Sequence, residues 1–252
     1  MDEQIITVKN LYKKYGAFEA VKHISFDVKK GEIFGFLGPN GAGKTTTLEI
    51  IETLRPKTEG EVVVAGYSLD KEPGEIKSII GVQLQSAGFY PNLTLTETLE
   101  LFAGLYNTKI DPMELLEKVD LKEKAKAKVE QLSGGQKQRF SVITTLVHRP
   151  EIIFLDEPST GLDPQARRNL WELIKTINQE GTTVVLTTHF MDEAEYLCHR
   201  VAIIDEGEIL RIDTPERLVD ELLESGFTKE KMKKEASLED VFLNLTGKDL
   251  RE

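Results

Sequence analysis

Cysteine occurs once in 252 residues, at Cys198, so no disulfide can form within the chain. That usage fits a reducing compartment, and a lone thiol reads first as a small buried apolar residue. Excess basic charge is missing as well: 43 acids stand against 32 bases, for a formal charge of −11. The broad positive footprint that nucleic acid or anionic lipid requires is therefore not expected. Nucleic acid is not the expected partner, and any membrane attachment should run through another protein. Long apolar runs are also lacking. The longest uncharged stretch, Ser78 to Thr96, carries Gln83, Gln85, Pro91 and Asn92 and could not cross hydrocarbon cheaply. The opening residues MDEQ show neither the basic nor the apolar region of a secretion signal, so a cytoplasmic location is expected.

What is present is ordinary for a globular protein: 40% hydrophobic and 30% charged residues, enough to bury a large core. One large domain with an inserted subdomain is the expectation. Alternation in IITVKNLYKKYG and ISFDVKKGEIFGFLG predicts half-buried, antiparallel strands at the start. KTTTLEIIETL, from Lys44, has helical spacing and is closed by Arg55 and Pro56. IIGVQLQ, IIFLD and TTVVLTTH are nearly continuous apolar or β-branched runs, the pattern of strands buried on both faces of a mainly parallel sheet. Between about residues 86 and 149 helix-forming sequence takes over, with LTETLELFAGLY, PMELLEKV and GGQKQRFSVITTLVHR, and an inserted helical subdomain is predicted. KEKAKAKVE within it reads as a solvated surface. VAIIDEGEILRI predicts a hairpin turning at Glu206 and Gly207, Thr214 with Pro215 opens a helix, and a last short helix begins at Ser237 with Asp240 completing its capping box.

The chemistry begins at GPNGAGKTT, residues Gly38, Pro39, Asn40, Gly41, Ala42, Gly43, Lys44, Thr45 and Thr46. It fits the GxxxxGKT phosphate loop and stands between a predicted strand and a predicted helix, as that motif requires. Glycines there let backbone N–H groups turn onto phosphates, and the helix N-terminus adds partial positive charge. Lys44 should reach the β and γ phosphates and Thr45 should bind Mg²⁺. IIFLD then ends in adjacent carboxylates, Asp156 to orient Mg²⁺ and Glu157 to polarise the attacking water as general base. Gln85, ending a third strand, can touch Mg²⁺ or the water. His189, ending a fourth, can bond the γ phosphate and steady Glu157. These groups are expected at one carboxyl edge of the sheet, where open parallel sheets bind ligands. His23, His148 and His199 keep the ordinary reading of surface or core histidines.

At LSGGQ, residues 132–136, the sequence resembles the signature of the ATP-binding cassette family. The other family elements follow in order: an aromatic at Tyr15, the phosphate loop, Gln85, Asp156 with Glu157, TGLD at 160–163, and His189. The resemblance implies a phosphate-loop α/β core with a mainly parallel sheet, an N-terminal antiparallel β subdomain and an inserted helical subdomain. The core would take in about 1–85 and 150–212, the helical part about 86–149, and a C-terminal helical tail about 213–252. It further implies ATP and Mg²⁺ as ligands and a head-to-tail dimer, with an identical or homologous cassette. Each ATP would lie between the loop of one subunit and Ser133, Gly134, Gly135 and Gln136 of the other. Tyr15 would stack on adenine and Asp163 would lie at the seam. The stretch from TPERL to SLEDVFLNLTG resembles export-type subunits that serve drug, lantibiotic, sodium or polysaccharide exporters. Such a subunit sits on the inner face of the cell membrane through a separate permease, whose cytoplasmic helix the region from Ser86 to Tyr106 would receive, with Phe89, Tyr90 and Leu93 as its apolar contacts. A soluble cassette ATPase acting on DNA or the ribosome is the competing class, but those proteins carry long coiled-coil insertions or two cassettes, and no heptad run stands here.

Overall fold

The chain opens with two long strands, β1 (Gln4–Tyr15) and β2 (Phe18–Lys29), paired antiparallel as their alternation predicts. With β4 (Glu59–Val64) and β5 (Tyr67–Ser68) they form a sheet of order β2-β1-β4-β5. A computed structural model describes residues 3–84 and 88–227, together with Val241, Asn244 and Leu245. The expected helix at Ser237 lies largely outside these residues. The second sheet has the order β10-β9-β3-β8-β7-β6, built from β3 (Ile33–Leu37), β6 (Ile80–Gln83), β7 (Ile152–Asp156), β8 (Thr183–Thr188), β9 (Arg200–Asp205) and β10 (Glu208–Asp213). Neighbours in it are parallel except β10, which turns back on β9 as a hairpin through Glu206 and Gly207, both at positive φ.

One strand departs from the sequence reading. Alternation in ISFDVKKGEIFGFLG predicts a half-buried antiparallel strand at IFGFL, yet β3 is buried at every position and lies between the parallel strands β8 and β9. A five-residue strand with apolar side chains on both faces belongs in a sheet covered on both sides. Alternation then divides the apolar runs between two cores. Phe34, Phe36, Phe154 and Val185 face the antiparallel sheet and α1 (Lys44–Ile51), while Ile33, Leu37, Ile153, Leu155 and Leu186 face the helices opposite. Burying each such side chain contributes roughly 1.5–3 kcal/mol. Gly35 is required by close packing, since a Cβ there would stand 2.6 Å from the Sγ of Cys198. That thiol is buried, and burial pushes its pKa up, in line with an inert core residue.

Helices among the described residues include α1, α2 (Pro73–Ile79), α3 (Leu95–Leu105), α4 (Pro112–Glu117), α5 (Gly134–Thr144), α6 (Pro164–Gln179), α7 (Met191–Leu197) and α8 (Pro215–Glu224). The helix from Lys44 ends at Ile51, short of Arg55 and Pro56, because Thr53 takes the left-handed region at φ 64°. Thr94 and Ser133 cap α3 and α5 with full capping boxes, and Thr214 caps α8. No helix among the described residues is long and apolar enough to cross a membrane.

Candidate nucleotide site

The loop from Gly38 joins β3 to α1 at the carboxyl edge of the parallel sheet. A Cβ at Gly38 would lie 2.1 Å from the carbonyl oxygen of Ile204, and Gly43 takes φ 101° with the Ala20 carbonyl 2.5 Å from where its Cβ would stand. Both positions therefore demand glycine, and the loop is held against β2 and β9. Pro39 and Ala42 are buried, while Asn40 and Gly41 are exposed. Lys44, only 4% exposed, donates from Nζ to the carbonyls of Gly38 (2.7 Å) and Pro39 (3.0 Å). Burial lowers its pKa, and the charges of Glu157 and Asp156 oppose that shift. A buried ammonium at a helix start inside a glycine loop is a fit for phosphate.

Asp156 and Glu157 are both buried. Asp156 accepts from Thr187 Oγ1, and both its oxygens lie 3.1 Å from Thr45 Oγ1. Burial raises its pKa, while those two hydroxyls pull it down. A carboxylate and a hydroxyl in contact are hard oxygen donors, the kind that hold Mg²⁺ together with phosphate oxygens. Among the described residues no group of three or more His, Cys, Asp or Glu could hold a metal on its own. Glu157 has φ 47°, and this left-handed turn directly after β7 redirects its side chain. Its Oε1 lies 3.6 Å from Lys44 Nζ. Its Oε2 accepts from Thr160 Oγ1 (3.1 Å) and stands 3.3 Å from His189 Nδ1, near enough for a charge contact though not aligned as a hydrogen bond.

Three of the four expected strand ends thus converge: the loop after β3, the carboxylates of β7 and His189 after β8. The strand ends at Gln83, and Gln85 lies outside the described residues. A cleft of about 370 Å³ runs along Tyr15, Phe18, Ala20, Asn40, Gly41, Gly43, Lys44, Thr45, Thr46 and Glu157. Ser133, Gly134, Gly135 and Gln136 are not on its wall. Ser133 is exposed and caps α5, accepting from the N–H of Gln136 at 3.3 Å while the Gln136 side chain accepts from Ser133 N–H. The other N–H groups of that first turn have no acceptor within the helix. Asp163, also exposed, caps α6 by accepting from Gln165 and Ala166. Of the remaining histidines, His199 Nδ1 accepts from Ile33 N–H, His148 stacks on Tyr106 and His23 on Tyr12.

Sequence reasoning missed Phe18, Thr160, Thr187 and two buried acids. Thr187 carries no signal until the fold brings it to the carboxylates, whereas Thr160, three residues after Glu157, meets it within one local turn. Glu193, fully buried on α7, accepts from Trp171 Nε1 at 2.9 Å. Glu52, 2% exposed at the end of α1, has its carboxyl pushed up to about 8 from the ordinary 4.5, mainly by burial and next by the charge of Asp156. The unfolded chain gives up this proton above about pH 4.5 while the folded chain keeps it to about pH 8, so Glu52 makes stability fall with rising pH across that window. The shift corresponds to a loss on the order of 5 kcal/mol at pH 8. Glu52→Gln should therefore match the wild type in urea denaturation near pH 4.5 and exceed it progressively toward pH 8. A stability difference that stays constant over this range would show that Glu52 ionises normally in the folded chain.

The ABC transporter family profile matches residues 21–160, more than half of the chain. The chain belongs to the ABC transporter family. Tyr15, Asp163 and His189 lie beyond the matched span. The cassette is 44% identical over 215 residues to the linearmycin resistance ATP-binding protein LnrL of Bacillus subtilis (strain 168), covering 83% of this chain and 69% of that protein. It is 39% identical over 220 residues to the Nod factor export ATP-binding protein I of Burkholderia orbicola (strain AU 1054), covering 85% and 72%. A solved dimeric cassette in a post-hydrolysis state, bound to ADP and Pi, superposes with a TM-score of 0.74 at 32% identity, covering 83% of this chain and 98% of that one. The chain is an ABC ATPase that binds ATP, and its two sheets and intervening helices form the phosphate-loop α/β fold.

Proposed function

We propose that this cassette hydrolyses MgATP in the cleft between Tyr15 and Glu157 and so energises export through a separate membrane chain. The observation that carries the reading is the carboxylate of Glu157, set between Lys44 (3.6 Å) and His189 (3.3 Å) beside the glycine loop. Tyr15 receives the base, and the loop from Gly38 to Thr46 wraps the phosphates. Lys44 leaves its own loop carbonyls for the β and γ phosphates. Thr45, Asp156 and Gln85 would hold Mg²⁺, which when bound neutralises phosphate charge in the transition state. Glu157 takes the proton of the attacking water, and His189 orients Glu157 and the γ phosphate. Export is supported by the relatives' names, linearmycin resistance and Nod factor export. The membrane chain would seat on a cleft of about 340 Å³ beside α5 that includes Leu84, Phe89 and Tyr90, and would hold the cassette at the inner face of the cell membrane. Phe89 also packs against Phe102 and Phe140, so Tyr90, 67% exposed, is the more available contact. We divide the chain as one nucleotide-binding domain: core about 1–85 and 150–212, helical part about 86–149, and tail about 213–252.

The exposed signature segment, away from the cleft of its own chain, completes the site of a second cassette, with Asp163 at the seam. Mixing a Lys44→Ala chain with a Ser133→Arg chain tests this directly. Each parent should be inactive, and the mixture should regain hydrolysis because one of its two composite sites carries neither change. A mixture no more active than its parents, with subunit exchange demonstrated, would refute the shared site.

A further inference from the structure

Phe18 exposes 61% of its surface, an unusual condition for a phenylalanine on a sheet. It pairs with Tyr15 on the last rung of the β1–β2 ladder, across a turn at Gly16 and Ala17. Residues directly opposed in an antiparallel pair project to the same face, with Cβ atoms about 4.5–5.5 Å apart. Both rings line the cleft that holds Lys44, Thr45 and Glu157. Tyr15 is fixed from one direction by cations: Lys13 Nζ lies 4.9 Å and the Arg55 guanidinium 5.5 Å from its ring centre. The polar and charged side chains of the cleft belong to its phosphate end, whereas Tyr15, Phe18 and Ala20 make the other end largely apolar.

We infer that Phe18 is a second base-facing aromatic, which with Tyr15 forms one continuous wall for the purine and the adjoining ribose. The inference rests on the reading of this cleft as the ATP site. A purine has two fused rings, more surface than a single phenol covers, and Phe18 stands on the same face as Tyr15 at the adjoining position. Its exposed ring would lose water only when the base arrives, so its burial contributes to binding and not to folding.

The probes are MgADP, which is not consumed, and magnesium pyrophosphate, which shares the phosphates and lacks the base. Calorimetric titration of the whole chain should show ADP binding weakened about 5- to 30-fold by Phe18→Ala, the lower part of what an aromatic stack gives, with pyrophosphate changed less than about twofold. Phe18→Trp should keep wild-type ADP affinity. ADP affinity unchanged in Phe18→Ala would overturn the inference, as would an equal loss for pyrophosphate, which would point to a disturbed loop. A wild-type chain that binds neither probe would instead remove the reading of the cleft, a separate failure.

Discussion

Glu157→Gln is expected to hydrolyse ATP about 10² to 10⁴-fold more slowly than the wild type while still binding it, the range that removal of a general base gives. Glutamine keeps the size of the side chain and an oxygen able to accept the Thr160 hydroxyl that now lies 3.1 Å from Oε2. It also tolerates the backbone at φ 47° as well as glutamate does, so the turn after β7 should hold. What disappears is the negative charge between Lys44 and His189, and with it the basicity that takes a proton from water. Because the γ phosphate then survives, it continues to join Lys44 of one cassette to Ser133 of the other. The variant should accumulate as a nucleotide-bound dimer. On a sizing column only Glu157→Gln with MgATP should move to twice the monomer mass, and MgADP should leave both proteins monomeric. Hydrolysis near the wild-type rate would remove Glu157 as the base. Slow hydrolysis without a dimer would leave the chemistry standing and sink the trapped sandwich.

Lys44→Ala should lower ATP turnover by about 10² to 10³-fold or more, the loss expected when a buried cation aimed at developing phosphate charge is removed. Its effect on the fold should be far smaller. The ammonium is buried at a desolvation cost that already depresses its pKa, so losing it relieves a penalty, while the buried Glu157 carboxylate loses its cation at 3.6 Å. Glu157 keeps Thr160 and His189 beside it, and the Gly38 and Pro39 carbonyls can take water in place of Nζ. Thermal unfolding without nucleotide should therefore lie close to the wild type, and only the wild type should be stabilised further by ATP. Turnover at the wild-type rate would contradict the role of Lys44. A collapsed melting temperature would show that the lysine is a structural member of the loop.

Much of this protein was legible because its chemistry is local in sequence. The loop from Gly38 to Thr46 carries its own turn, its own helix start and its own cation, so strand, loop and helix could be read in order. Asp156 and Glu157 were found because a buried run ends in them, and the hairpin at Glu206 and Gly207 because two adjacent turn residues interrupt two apolar runs. Buried apolar runs and capping signals depend on neighbours a few positions away, and the structure reproduced the buried strands IIFLD and TVVLTT and the helix start at Thr214.

What depended on distance in sequence had to wait for the fold. Alternation in IFGFL could not tell an edge from a centre; only the pairing with Thr183–Thr188 and Arg200–Asp205 put that strand in the middle of the parallel sheet. Nor could any local pattern bring Thr187 and His189 to the two carboxylates, since their contacts arise from strand order; Thr160, three residues after Glu157, reaches it within one local turn. The sequence by itself determined which residue types are available and their order along the chain: a phosphate loop, a strand ending in two acids, and a helix-forming run behind LSGGQ. Tertiary structure decided which of them share an environment. It buried Glu52 near Asp156, turned Glu157 toward Lys44 through a positive φ, and set Phe18 opposite Tyr15 at the mouth of the cleft. The physical reason is that burial and charge act through space, and spacing along a chain encodes them only within a single helix, strand or turn.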